Sequence, residues 1–232
     1  MKEKLKIYVV HYSKLVERKK YMDSLLKDTG IDHQYIDNFD KENLKEINLN
    51  KYYKDNKNEF LKKVQLWGKR AINYTKLTPE EISCTIKHVQ ALHEIKNNDY
   101  EYGLILEDDV IPKIDNFLQE LNKYISKNNK WDVLLIGEGM GKSFRDSKIG
   151  LKRYNPFKNI FKIKHPATNC LEAYIVKKSI VEDILEELLP FNLAADWELA
   201  YQFYKKDLNI YWTKKPIFSQ GSKNGTYKSE LR

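Results

Sequence analysis

Three consecutive acids, Glu107-Asp108-Asp109, follow directly on the apolar run from Tyr102 to Leu106. Ionised carboxylates this close repel one another and raise the energy of the charged cluster. A bound divalent cation removes that penalty and gains oxygen ligands. Asp109 and Asp108 are the candidate metal ligands, and Glu107 and Asp108 are also placed to accept hydrogen bonds from a ligand. The competing interpretation is a solvated acidic turn that caps the next helix. The buried strand before the acids favours the site, because open α/β sheets bind ligands outside the carboxyl ends of their strands.

Further residues have types suited to chemistry. Asp196 precedes Trp197 at the start of a helical stretch and is the candidate general base, with Glu198 as a weaker substitute. Equally, Asp196 is a helix cap and Trp197 a core residue. His88 lies four residues after Cys84, on the same helical face. No further zinc ligand is evident in the sequence, so His88 is read as orienting the acidic loop or a ligand phosphate, or as a satisfied core histidine. Ser222 and Lys223, with Lys228, lie in a glycine-containing segment whose backbone can approach phosphate. Residues 219–232 are thus expected to be either a flexible tail that closes over a ligand or a disordered terminus. His11, Ser13 and Arg18 follow the first strand and face the same edge if the sheet is parallel. Arg18 is otherwise a solvated helix residue. Thr168 and Asn169, just before another strand, are candidates to line the pocket.

The elements that must position these groups are legible from periodicity. Residues 4–10 and 33–37 read as strands, with a helix between them that Ser13 caps and Gly30 ends. This opening is a βαβ unit of a parallel sheet. Residues 41–76 suggest short helices with a mobile loop. Residues 78–97 give the clearest helix: Thr78 begins it, Pro79 takes the first turn, and Glu81 completes a capping box. Its stripe is Ile82, Ile86, Val89, Leu92 and Ile95. Strands are expected at 102–106, 131–136, 171–176 and 209–213. Helices are expected at about 114–127, 179–189 and 195–206. Residues 142–166 read as a loop or hairpin, and the tail shows no core periodicity. The expected fold is a single α/β domain over residues 1–232 with a mixed, mostly parallel sheet.

The chain has 232 residues, 41% of them hydrophobic and 32% charged, which suits a globular core and argues against disorder. Cys84 and Cys170 lie far apart without metal-ligand spacing, so reduced thiols and a reducing compartment are expected. The apolar run near the N-terminus is too short for a signal peptide, and none approaches the length of a membrane span. The expectation is therefore a cytoplasmic protein, with peripheral contact at the inner membrane face as an option. The net charge of +8 suits phosphate-bearing ligands or an anionic surface. Its lysines are interspersed with acids, and no nucleic-acid signature accompanies the sixteen tyrosines, so no nucleic-acid partner is expected.

Taken in order, several segments resemble glycosyltransferase family 25, which includes bacterial lipooligosaccharide β-galactosyltransferases. IYVVHYSKLVERKKYMDSLL resembles its opening strand and helix. LTPEEISCTIKHVQAL resembles its helix with Glu81, Cys84 and His88 in place, and GLILEDDV matches its acidic motif. WDVLLIG, ATNCLEAYIVKKS, AADWELAYQF and FSQGSKNGTYKS resemble later elements. His11 stands where the family commonly has Asn, and Lys87 where Ser is usual. The resemblance implies a GT-A fold, a nucleotide-sugar donor such as UDP-galactose, Mn²⁺ (or Mg²⁺) and inversion at the anomeric carbon. On that basis the donor contacts are His11, Ser13, Arg18, His88, Glu107, Asp108, Thr168, Asn169, Ser222 and Lys223. Trp197 stacks on the acceptor, an oligosaccharide or glycolipid. A metal-dependent nucleotidyltransferase or phosphohydrolase is the rival enzyme class, and a noncatalytic nucleic-acid binder the rival outside enzymology.

Overall fold

The computed structural model describes residues 1–70, 73–125, 130–139, 159–163 and 171–229. The first strand, β1 (Leu5–Val10), sends Leu5, Ile7 and Val9 to one face and Tyr8 and Val10 to the other. Both faces are covered, so the strand is apolar except for the half-buried Lys6, as a strand buried on both sides requires. Helix α1 (Val16–Lys27) leads to β2 (His33–Ile36), which pairs in parallel with β1. Two short 3₁₀ helices, Lys41–Glu46 and Leu49–Lys51, then α2 (Lys57–Val64) and a kinked 3₁₀ segment, Gln65–Arg70, make up most of the lysine- and asparagine-rich stretch.

Helix α3 (Pro79–Asn97) starts as its sequence dictates. The Glu81 amide donates to the Thr78 hydroxyl at 3.2 Å, and the Thr78 amide donates to Glu81 Oε2 at 2.9 Å. This satisfies two backbone donors that a helix N-terminus otherwise leaves orphaned. The chain then forms β3 (Tyr102–Glu107), β4 (Val110–Pro112), α4 (Phe117–Ile125), β5 (Val133–Leu135) and β6 (Ile160–Lys162). It continues through β7 (Ala173–Lys177), α5 (Val181–Leu185), α6 (Ala195–Lys205), β8 (Ile210–Thr213), β9 (Phe218–Gln220) and α7 (Gly221–Asn224).

Among the described residues, seven strands form one sheet in the order β2-β1-β3-β7-β5-β8-β6. The pairs β1–β2, β1–β3 and β5–β8 are parallel, and β3–β7, β5–β7 and β6–β8 are antiparallel, so only β7 and β6 run against the rest. The sheet is mixed, with most strands in one sense. One face carries Tyr8, Ile105, Tyr174 and Trp212 under Leu92, Ile184 and Phe203, from α3, α5 and α6. The other carries Ile7, Leu104 and Ile175 under Met22, Leu26 and Leu121, from α1 and α4. Burying each such side chain contributes about 1.5–3 kcal/mol.

Three local expectations are corrected. Ser13 does not cap α1: Leu15 occupies that position without a side-chain cap, while the Ser13 hydroxyl donates to Asp40. The helix expected over 179–189 shortens to a 3₁₀ turn and α5, and its chain then meets a cis Leu189–Pro190 bond. Part of the polar tail is regular structure, because β9 pairs antiparallel with β4 through Val110–Gln220, Ile111–Ser219 and Pro112–Phe218. Strands of three residues are too short to leave a periodic trace. Among the described residues no helix is long and apolar enough to cross a membrane.

Candidate active site

The chain leaves β1 toward β2 on one side and returns to β3 on the other. That reversal opens a crevice outside the carboxyl ends of β1 and β3, where α/β sheets bind ligands. Val10 and Glu107 are register partners, so His11 and Tyr12 come to lie beside the acids. A cavity of about 750 Å³, including its open mouth, occupies this crevice. His11, Arg18, Glu107, Asp108, Asp109, Ser222 and Lys223 all line it. These residues come from three separate parts of the sequence.

The three acids have different fates. Asp108 is buried and engaged through both oxygens. Oδ2 contacts His11 Nδ1 at 2.8 Å and accepts from the Tyr12 amide at 3.2 Å, while Oδ1 accepts from Arg18 at 2.8 Å. Burial alone would push this carboxyl up, but the His11 and Arg18 contacts hold it below the usual range. Arg18 also donates to the Lys228 carbonyl at 2.5 Å and lies 5.1 Å from the centre of the Tyr227 ring. It thus ties the C-terminal segment to the acidic edge and is not a solvated helix residue.

Asp109 is equally buried but poorly compensated. Oδ2 accepts from the Ser222 amide at 3.1 Å, and Oδ1 has no hydrogen-bond partner among the described residues. Burial first, then repulsion from Glu107, push its carboxyl up to about 6, with the Ser222 contacts opposing. Its carbonyl accepts from the Gly221 amide at 2.7 Å. A Cβ on Gly221 would stand 2.8 Å from that carbonyl oxygen and 2.5 Å from Tyr227, so only glycine permits this approach. Glu107 accepts from Gln220 at 2.9 Å through Oε2, and its Oε1 faces His88 Nε2 at 3.6 Å.

Ser13 lies in the supporting frame. With its hydroxyl on Asp40, it joins a buried network in which Lys87 pairs with Asp40 and donates to the His11 carbonyl at 2.6 Å. This network pins the loops after β1 and β2 to α3. Neither Asp40 nor Gln220 stood out in the sequence. Each is a lone polar residue whose partner lies far along the chain.

Asp196 sits in the first turn of α6, half-buried, with Oδ1 accepting from the Trp197 amide at 3.0 Å. Burial and then the charge of Glu107 raise it to about 6, while His88 opposes. It is thus within electrostatic reach of the acidic edge, though not part of the cavity wall. Trp197 packs edge-on against Trp67, with ring centres 4.9 Å apart. Glu198 is unsuited as a substitute base: it is fully buried and bonded to Lys63 at 2.7 and 2.8 Å, and it also accepts from Gln202. His88 lies behind the cavity, stacked on Tyr174 and paired with its hydroxyl at 3.1 Å. Thr168 and Asn169 lie outside the described residues.

A further buried acid, Glu172, adjoins this edge. Its carbonyl accepts from the Glu107 amide at 2.9 Å, and its side chain accepts from the Gly139 amide at 2.8 Å. Burial pushes it up to about 8. Gly137 makes room for it, since a Cβ there would stand 2.4 Å from the carboxyl group.

Fold and site together define an α/β protein with an acid-edged ligand crevice at its switch point. The chain belongs to glycosyltransferase family 25 (LPS biosynthesis protein), whose model matches residues 4–199, and it is a glycosyltransferase. Among solved structures it is similar to a glycosyltransferase involved in the glycosylation of the major capsid of PBCV-1. That match has 12% identity and a TM-score of 0.44, and covers 94% of this chain and 92% of the other. S. aureus TarS 1–349 matches at 16% identity and TM-score 0.46, over 95% of this chain and 62% of that one. The same TarS fragment in complex with UDP-GlcNAc matches at 14% identity and TM-score 0.45, over 93% of this chain and 58% of that one. The chain thus spans less than two thirds of the TarS fragment. No curated protein sequence matches it.

Proposed function

We propose that the chain transfers a hexose, with galactose from UDP-galactose as the leading donor, to a lipooligosaccharide or related glycan with inversion at the anomeric carbon. The observation that carries this reading is the unequal satisfaction of the acidic edge. Asp108 is neutralised within the protein, whereas Asp109 keeps a buried, unpartnered oxygen beside the repelling Glu107. That arrangement fits a hard divalent cation such as Mn²⁺ or Mg²⁺, held by Asp109 with Glu107 as its neighbour. Asp108 then acts by ordering His11 and Arg18, not by ligation. Such an ion supplies neutralisation of the charge that develops on a departing nucleoside diphosphate.

The remaining roles fall to the chain's own groups. Ser222 and Lys223, beside Asp109 in the cavity, contact the diphosphate. Arg18 and His11 hold the edge that receives the nucleoside. Asp196 takes the proton of the acceptor hydroxyl as its oxygen bonds to the anomeric carbon, and the bond from that carbon to the phosphate oxygen breaks on the opposite face. A carboxyl raised to about 6 is a stronger base than an ordinary aspartate and is still mostly ionised at neutral pH. Trp197 offers a flat apolar face to the acceptor sugar. The excess of positive charge suits a phosphorylated glycolipid at the cytoplasmic membrane face.

Incubation with UDP-galactose, Mn²⁺ and a truncated lipooligosaccharide tests this reading. A β-linked galactosyl product with release of UDP is expected. UDP release without a glycosylated product, or strict preference for a different nucleotide sugar, would overturn the acceptor or the donor assignment respectively.

A further inference from the structure

Cys84 and His88 lie four residues apart on α3 and leave the helix on one face. Glu107, at the end of β3, meets that face. One ligating atom from each of the three residues lies within 4.8 Å of the other two. The sequence alone offered only the cysteine and histidine; the third group arrives through the β3–α3 packing.

The histidine gives the second observation. Its Nδ1 is paired with the Tyr174 hydroxyl at 3.1 Å, and its ring is stacked on that tyrosine. Its Nε2 is buried, has no hydrogen-bond partner among the described residues, and faces Glu107 Oε1 at 3.6 Å. The other carboxylate oxygen, Oε2, is held by Gln220. Thus an imidazole fixed through one nitrogen and a carboxylate fixed through one oxygen present their remaining atoms to each other close to a thiol. Ligating histidines are oriented in this way by a partner on the second ring nitrogen. A sulfur, an imidazole nitrogen and one carboxylate oxygen select a borderline-soft ion over a hard one, and three protein ligands leave a fourth position open. Cys84 lines the cavity, which gives the ion a route in.

We propose that Cys84, His88 and Glu107 form a binding site for a thiophilic divalent cation of the zinc class. The thiol loses its proton to solvent as the metal–sulfur bond forms. Glu107 also belongs to the edge where the donor's hard cation is assigned. On the transferase reading given above, zinc bound at Glu107 cancels the negative charge that helps hold the hard cation at Asp109, so zinc opposes donor binding.

Cobalt(II) titration of the metal-free full chain tests the site, because a cobalt–thiolate bond gives an intense near-ultraviolet charge-transfer absorption. The expected result is saturation near about one equivalent, with the absorption erased by added zinc. Cys84→Ser, which keeps the side-chain shape, should abolish the absorption, while Cys170→Ser should retain it. Tyr174→Phe, which frees the histidine ring, should weaken zinc binding by about tenfold or more. An absent thiolate absorption in the parent chain, or one that survives Cys84→Ser, overturns the site. Undiminished manganese-dependent UDP binding at saturating zinc overturns the shared use of Glu107. Absence of UDP binding to the manganese-loaded chain before any zinc or cobalt is added, with the cobalt spectrum intact, counts against the transferase reading alone.

Discussion

Two buried carboxylate sites in this molecule differ in how completely their oxygens are paired. Between α2 and α6, Glu198 is enclosed by Lys63, Gln202 and the amides of Asn192 and Leu193. At the switch point, Glu107 and Asp109 share a crevice with partners for only some of their oxygens. Both oxygens of Glu198 are paired, which holds the 192–193 loop, although Asn192 Oδ1 and Gln202 Oε1 beside it have no partner among the described residues. In the second, Asp109 keeps a buried oxygen with no partner among the described residues, as the proposed cation site requires. Buried carboxylates are normally paired, so the unpaired oxygen of Asp109 beside Glu107, and not the mere presence of acids, supports the proposed cation site.

The largest effect that would sharpen this contrast is on turnover. Asp196→Asn should reduce transfer by about 10²–10⁴-fold while leaving UDP affinity unchanged, as expected for a base that acts only on the acceptor. Near-normal turnover in single-turnover assays would remove Asp196 from that role. Next is the Glu198 site. Lys63→Met strands the Glu198 carboxylate and should lower stability by about 3–5 kcal/mol in urea unfolding. Asp109→Asn, by contrast, relieves a poorly compensated charge and should leave stability unchanged or raised. If both substitutions destabilise equally, the contrast between the two regions is wrong.

A smaller effect concerns pH. The Glu172 carboxyl is raised from its ordinary 4.5 to about 8, so between these values the native chain retains a proton that the unfolded chain has released. Stability should therefore fall as pH rises through this window and level off above it, with a slope of at most about 1.4 kcal/mol per pH unit. Asp109 and Asp196, each raised to about 6, contribute in the same direction, but only between their ordinary 3.8 and that value. Above about 6 the slope belongs mainly to Glu172, and Glu172→Gln should flatten it in urea midpoints measured across pH. The smallest effect expected is from Gly221→Ala. It should displace the C-terminal segment from Asp109 and raise the KM for donor several-fold with little change in Tm.

The sequence exposed the acidic edge because three adjacent acids after an apolar strand are a strong local signal. It also exposed α3, whose cap, proline and stripe agree. What it concealed depends on distant pairing. The partners of Asp108 come from near the N-terminus: a parallel sheet places His11 and Arg18 at this edge, but the sequence leaves a solvated Arg18 equally open, and the β1–β3 register decides it. Ser13 read as a helix cap because that is the commonest use of such a serine, but Asp40 claims its hydroxyl. The polar tail lacked periodicity because it packs through a glycine contact and an arginine–carbonyl bond, not through an apolar stripe.

The assignment of Asp109 as the group that needs a cation is tested most directly by calorimetric titration of UDP into the parent chain and Asp109→Asn, each with and without manganese. The parent chain should bind UDP tightly only with manganese, and the variant should bind it weakly and equally in both conditions. Equal, manganese-enhanced affinity in the two proteins would contradict it.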